Sequence, residues 1–260
     1  MKTNLFAAAL IVLCTATLAP AEILTDGNST TSFDLSSTGL GMDGWTVNGV
    51  NQLYEQSFWY QLGSGSVQRV NTLTLSSSSI VSPNELKATY TGSGFKIDVD
   101  WTLYGAAPGY EQSDVPELIR ITNTSSAPLN FHFWEFVNLN LLGTPLNTSV
   151  SISGGNTAIQ SNGDLAVSET ADVPIPSRYE AGFQQDVLAD LQSGLLNDNG
   201  SQTNGDLAWA FQWDTSIGAG SSLIISKDKQ LSIIPEPSTF ILLSIGVIGL
   251  LGYAWRRQAA

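Results

Sequence analysis

The chain has 260 residues, with 23 acidic against 10 basic side chains and a formal net charge of −13. That length suffices for one large β domain with a sizeable core. The single cysteine, Cys14, excludes disulfides as a source of stability. An acidic balance without a basic patch argues against nucleic-acid binding, because nothing would neutralise phosphates.

The first segment, "MKTNLFAAALIVLCTATLAPAE", places Lys2 before an apolar stretch from Leu5 to Leu13 and small residues at Ala19 and Ala21. This layout predicts a secretory signal peptide over 1–21, cleaved after Ala21. Leu13 is too large for the position before a lipidated cysteine, so Cys14 is not expected to be lipidated. From Glu22 to Ile234 the chain holds 22 of the acidic residues and 7 of the basic ones, a balance of −15. Such an exterior suits solubility outside the cell and leaves room for divalent cations.

Alternation of apolar and polar residues predicts strands through this region. Val67 to Leu75 and "LKATY" (Leu86, Ala88, Tyr90) come first. "GFKIDVDWTLYG" follows, with Phe95, Ile97, Val99, Trp101 and Leu103 on one face and Lys96, Asp98, Asp100, Thr102 and Tyr104 on the other. Leu118 to Thr122 is a shorter candidate. "LNFHFWEFVNLNLL" aligns Leu129, Phe131, Phe133, Val137, Leu139 and Leu141. A hairpin is expected at Gly154-Gly155 between "TSVSIS" and "NTAIQ". One short helix is predicted at "GFQQDVLADLQSGLLND", where Phe183, Val187, Leu191 and Leu195 recur every four residues and Gly194 and Asn197 supply stop signals. "LAWAFQW" then aligns Leu207, Trp209, Phe211 and Trp213. Ten or more short strands with Gly- and Asn-rich turns predict a single mainly β domain over 22–234, an antiparallel β-sandwich with one short helix.

Chemistry-bearing patterns are sparse. The single histidine, His132, has no nucleophile elbow to serve and is expected to be structural or on the surface. Asp98 and Asp100 share a strand face at roughly 6.5 to 7 Å, within the roughly 5 to 9.5 Å over which paired carboxylates hydrolyse glycosidic bonds. The Lys96 and Thr102 beside them make a solvated surface the expected reading, and Glu111, Asp114 and Glu117 are read in the same way, as loop residues. "NDNGSQTNGD", from Asn197 to Asp206, has the oxygen-rich composition of a calcium loop without its ligand order, and no cofactor or metal site is expected. Most aromatic residues fall on the apolar phase of their strands. Trp59 and Trp134 do not, and they are the first place to look for a sugar-binding patch. No catalytic residue is assigned; an enzyme using paired carboxylates is the competing reading.

The chain closes on "SIIPEPSTFILLSIGVIGLLGYAWRRQAA". Pro235 and Pro237 hold the segment extended. Ser238 to Trp255 carries no charge and is long enough, at roughly 27 Å, for a transmembrane helix, with Arg256 and Arg257 keeping its end in the cytoplasm. Domains are thus expected at 1–21, 22–234 and 235–260. The order of Pro235, Glu236, Pro237 and Ser238, an apolar helix and two arginines resembles the PEP-CTERM sorting signal of Gram-negative bacteria. That resemblance implies an integral-membrane exosortase as processing partner. It further implies export, transient anchoring in the inner membrane through the helix, and release to the envelope or outside, often in bacteria that make exopolysaccharide. "GWTVNGVNQLYEQSFWYQLGSG" and "LNFHFWEF" are similar to an uncharacterised β-rich ectodomain of PEP-CTERM proteins, which brings no activity with it. The expectation is a non-enzymatic envelope or matrix protein that binds exopolysaccharide; a permanent membrane anchor is the alternative for the tail.

Overall fold

The computed structural model describes residues 21–233; the expected signal peptide, all but Ala21, and the sorting tail with its expected transmembrane helix lie outside them. Among the described residues no helix is long and apolar enough to cross a membrane. The strands run β1 (Glu22–Asp26), β2 (Ser29–Asp34), β3 (Gly41–Val47), β4 (Val50–Asn51), β5 (Leu53–Leu62), β6 (Gln68–Arg69), β7 (Thr74–Ser82), β8 (Glu85–Gly92), β9 (Phe95–Thr102) and β10 (Tyr104–Gly105). They continue with β11 (Ser113–Asn123), β12 (Leu129–Leu139), β13 (Ser149–Ser153), β14 (Thr157–Asn162), β15 (Leu165–Val173) and β16 (Arg178–Phe183). Helix α1 (Gln184–Ser193) precedes β17 (Ser201–Thr203), β18 (Leu207–Ile217) and β19 (Ser222–Ile233).

Two antiparallel sheets stack face to face. The first has the order β1-β2-β3-β5-β12-β18-β16, and the second β17-β13-β14-β15-β19-β11-β9-β8-β7. Strand β9 shows why: Phe95, Ile97, Val99 and Trp101 are buried while the residues between them are half exposed, so one face seeks a partner sheet. Between the sheets, Phe58 lies 5.5 Å from Phe133 and 6.2 Å from Trp101, ring to ring. The Trp45 indole reaches across to Ser113 Oγ at 2.9 Å.

The expected hairpin at Gly154-Gly155 is present, with positive φ of 61° and 73° in the turn that joins β13 to β14. The expected strand Val67 to Leu75 is instead broken by a 3-10 turn at Val70–Thr72, and β7 starts only at Thr74. Val70 turns into the core.

Helix α1 forms where the four-residue period predicted it. Gly194, at φ 92°, closes it by donating its N–H to the carbonyls of Asp190 and Leu191, a left-handed cap that glycine adopts at little cost. The chain reversal at Gly194 leaves Leu195 exposed and sends Leu196 inward. Phe183 belongs to β16 rather than to the helix. The helix lies on the outer face of the first sheet, where Val187, Leu191 and Leu196 pack on Trp59, Trp134, Phe136, Ala208 and Ala210.

Candidate functional site

That second apolar layer decides the fate of the expected aromatic patch. Trp59 and Trp134 do point away from the main core, as their off-phase positions require, but they are 6% and 0% exposed. They are opposed across β5 and β12, and α1 covers both. The correction follows from packing, because an amphipathic helix must land on an apolar surface and these indoles are that surface. Arg69 closes the remaining side, its guanidinium 4.7 Å above the Trp59 ring and 2.8 Å from Glu55 Oε1. Ser57 joins the two, donating to Glu55 Oε1 at 2.7 Å and accepting from the Trp59 indole at 2.9 Å.

An open cleft does exist on the same face, beside the first turn of α1. It encloses about 330 Å³ and is lined by Tyr54, Asn138, Asn140, Pro145, Gln184 and Asp206, a volume at the lower end of the range for small-ligand sites. A β-bulge creates it. Leu53 pairs with Leu139 and Glu55 with Asn138, so Tyr54 is the extra residue between them. Bulges re-aim side chains in this way, and the Tyr54 ring is left 51% exposed. Asn138, on β12, is buried with its Oδ1 lacking any hydrogen-bond partner. The Gln184 N–H donates to the Asp206 carbonyl at 2.9 Å, which fixes the helix start against the loop before β18. The cleft therefore presents one aromatic face, two amides of Asn, one of Gln and a single carboxylate.

A second polar constellation lies between the sheets and is closed to solvent. Lys227 and Lys229 project inward from β19, Glu117 from β11, Glu169 from β15, and Glu135 and Gln56 from the facing sheet; none is more than 3% exposed. Lys227 Nζ is 2.8 Å from Glu117 Oε2 and 2.8 Å from Glu169 Oε1, and it also bonds Glu135. Three carboxylates against two ammoniums would leave one negative charge in a dry interior. Burial, reinforced by the neighbouring Glu169 charge, pushes the Glu135 carboxyl well above the usual range, so that Glu135 carries the proton that balances the cluster. Burial also pushes Glu169 upward, but Lys227 and Lys229 overcome it and hold its carboxyl down at about 2. Burial lowers the Lys227 ammonium less than Glu117, Glu135 and Glu169 beside it raise it.

Glu117 thus departs from the solvated loop expected for it: it lies inside β11 and faces the core. Asp114 is in the same strand, and burial together with the adjacent Asp228 raises its carboxyl to about 7. The sequence carried a signal for the cluster. Each member occupies the apolar phase of its strand, Glu135 between Phe133 and Val137, Lys227 and Lys229 between Ile225 and Leu231. A charge in that phase is either surface at a strand end or part of a paired interior.

The remaining expected positions are surface features. Asp98 is bound by Lys96 and Thr89, and Asp100 by Lys87, on the partly exposed outer face of the second sheet. His132 bonds Asp214 Oδ1 through Nδ1 at 2.6 Å, a cross-strand pair. Within Asn197–Asp206, Asn197 donates to Glu180 and Asp190, while Ser201–Thr203 forms β17 against β13. Burial, with Asp190 beside it, raises the Glu180 carboxyl to about 7.

Comparison with known proteins matches residues 234–258 to the PEP-CTERM protein-sorting motif, the segment containing Pro235, Glu236, Pro237, Ser238, Arg256 and Arg257. No curated protein matches the chain. Among solved structures, the fold is similar to a bacterial glucoamylase complexed with acarbose, at 10% identity and a TM-score of 0.59, over 90% of this chain and 36% of that one. The chain thus spans about a third of that enzyme. It is similar as well to a galactose mutarotase related enzyme from Lactobacillus acidophilus, at 6% identity and TM-score 0.54, over 84% of this chain and 99% of the other. A GalM/aldose epimerase homologue from C. elegans gives 9% identity and TM-score 0.52, over 83% and 100%. At these identities the likeness is one of fold: a β-rich domain resembling galactose mutarotase-like folds.

Proposed function

We propose that this exported, exosortase-sorted protein acts in the cell envelope or extracellular matrix as a non-enzymatic module that binds exopolysaccharide in the Tyr54 cleft. The observation that carries the reading is the cleft itself: an exposed ring raised by a bulge, beside a buried Asn138 oxygen without a partner. Sugar rings offer an apolar face for stacking on Tyr54 and hydroxyls for the polar residues Asn140, Gln184 and Asp206. The non-enzymatic part rests on the lining, which holds one carboxylate, Asp206, where glycoside hydrolysis takes two.

Calorimetric titration of the protein with the exopolysaccharide of its host, together with a reducing-end assay of the same mixture, tests the proposal. Binding without new ends is expected, weakened at least about tenfold in Tyr54→Ala, the scale of removing an aromatic anchor. Equal affinity in the variant, or no binding at all, overturns the cleft assignment. Steady release of ends that is lost in Asp206→Asn installs the carboxylate enzyme instead. For the tail, mass spectrometry of the protein from its host is expected to find a C-terminus near the sorting motif; an intact Ala260 favours a permanent anchor.

A further inference from the structure

One lysine of the buried cluster touches an amide as well as carboxylates. Lys229 Nζ donates to Gln56 Oε1. The Gln56 amide nitrogen donates to both oxygens of Glu117 at 2.7 and 2.8 Å and to Glu135 Oε1 at 2.9 Å. Lys229 Nζ also lies 3.3 Å from Glu117 Oε1 and 3.3 Å from Glu169 Oε2. An amine, a carboxamide, proton acceptors beside the amine and a carboxyl beside the amide nitrogen are therefore assembled where water is excluded. Those are the components of a transamidation.

We propose that Lys229 and Gln56 become joined by an intramolecular isopeptide bond, formed by the folded chain on itself. In a dry interior the ammonium and a carboxylate interconvert with the neutral amine and acid by moving one proton along a hydrogen bond. Lys229 passes a proton to Glu117, and its free amine attacks the Gln56 side-chain carbonyl carbon. Glu135 gives its proton to the amide nitrogen, the C–N bond breaks, and ammonia leaves. The attacking nitrogen loses its second proton to Glu135. The ammonium contributes three hydrogens: one stays on the new amide, one remains on Glu117 and one replaces, on Glu135, the proton that left in the ammonia. The cluster starts with Lys227 and Lys229 charged against Glu117 and Glu169. It ends with Lys227 against Glu169, neutral before and after, and no oxidant or co-reactant is needed.

Two features select this pair. Among the described residues Gln56 is the one carboxamide bonded to these lysines and carboxylates, and its carbon is more electrophilic than that of an ionised carboxylate. Glu135, whose carboxyl burial shifts toward the protonated form, lies 2.9 Å from the leaving nitrogen. The bond would tie β5 of one sheet to β19 of the other, across 173 residues of sequence.

The test is peptide mapping by tandem mass spectrometry of the folded protein from its host. Gln56 and Lys229 are expected in one branched species about 17 Da lighter than the sum of the two linear peptides, the mass of ammonia lost in the amine attack. Lys229→Arg keeps the charge and removes the nucleophile, and should return linear peptides. Glu135→Gln, which keeps the shape, should do the same if the arginine variant does not fold. Full recovery of both linear peptides from the parent protein overturns the proposal. A cross-link from Lys227 to a glutamate, lighter by about 18 Da for lost water, overturns the assignment, and a link that persists in Glu135→Gln removes Glu135 from the reaction.

Discussion

Replacing Lys227 by methionine keeps the length and most of the volume of the side chain and deletes its charge. In the folded protein its ammonium bonds Glu117, Glu135 and Glu169 and lies 5.5 Å from the Phe58 ring. The methionine can keep the ring contact. With Glu135 protonated, what remains is Glu117 and Glu169 facing Lys229, or Glu169 alone once Lys229 is joined to Gln56, and either way one uncompensated negative charge lies out of reach of water. Removing one partner of a buried pair in this way costs about 3–5 kcal/mol. At about 2–4 °C per kcal/mol for a domain of this size, the melting temperature should fall by about 6–20 °C. Thermal unfolding followed by circular dichroism at neutral pH measures it. Adding Glu169→Gln to Lys227→Met removes the stray charge and should recover part of the loss. A single variant melting within about 2 °C of the parent, or a double variant no better than the single, would refute the account of the cluster as a charge-balanced unit.

Stability should also depend on pH through the carboxyls that folding shifts upward. Asp114 and Glu180 move from ordinary carboxylate values to about 7, so between about pH 4 and 7 the folded chain binds protons that the unfolded chain has released, and stability falls as pH rises through that window. Melting temperatures at pH 5 and pH 8 should show the decline, and Glu180→Gln should flatten it; an unchanged slope in that variant counts against Glu180 as a source. Gly194→Ala should cost about 1 kcal/mol, because alanine at φ 92° is strained. Hydrogen exchange should then be faster over α1 and over β12 beneath it, and unaltered protection there would mean that the cap does not hold the helix down.

Much of the fold was legible because most strands bury a single face. The alternation in β9 and in the inward half of β12, the hairpin glycines and the four-residue period of α1 each follow from a local rule. The outer half of β12 was readable in principle: α1 needs an apolar landing surface, and Trp59 and Trp134, out of phase on neighbouring strands, are that surface rather than an exposed patch. The Tyr54 bulge was not readable, since one inserted residue is visible only once Leu53 and Glu55 are paired with Leu139 and Asn138. The charged cluster was readable only in part: each member's place in the apolar phase of its strand marks an interior charge, but the members come from five strands spread over 56–229, and only the sheet stacking brings their signs together. The sorting tail was the easiest part, because its recognition depends on local order and not on tertiary contacts.

The position of β19 has a consequence for the order in which the molecule is completed. It is the last strand before the sorting motif, yet it is interior, joined to β15 on one side and β11 on the other. A chain emerging from its N-terminus delivers Gln56, Glu117, Glu135 and Glu169 first, and the two halves of the second sheet stay unjoined until residues 222–233 arrive. Lys227 and Lys229 come with that strand and neutralise carboxyls that have been waiting for them. The interior therefore cannot close until the segment adjoining the sorting motif has been delivered, so completion of the domain and delivery of the motif are neighbours in chain order.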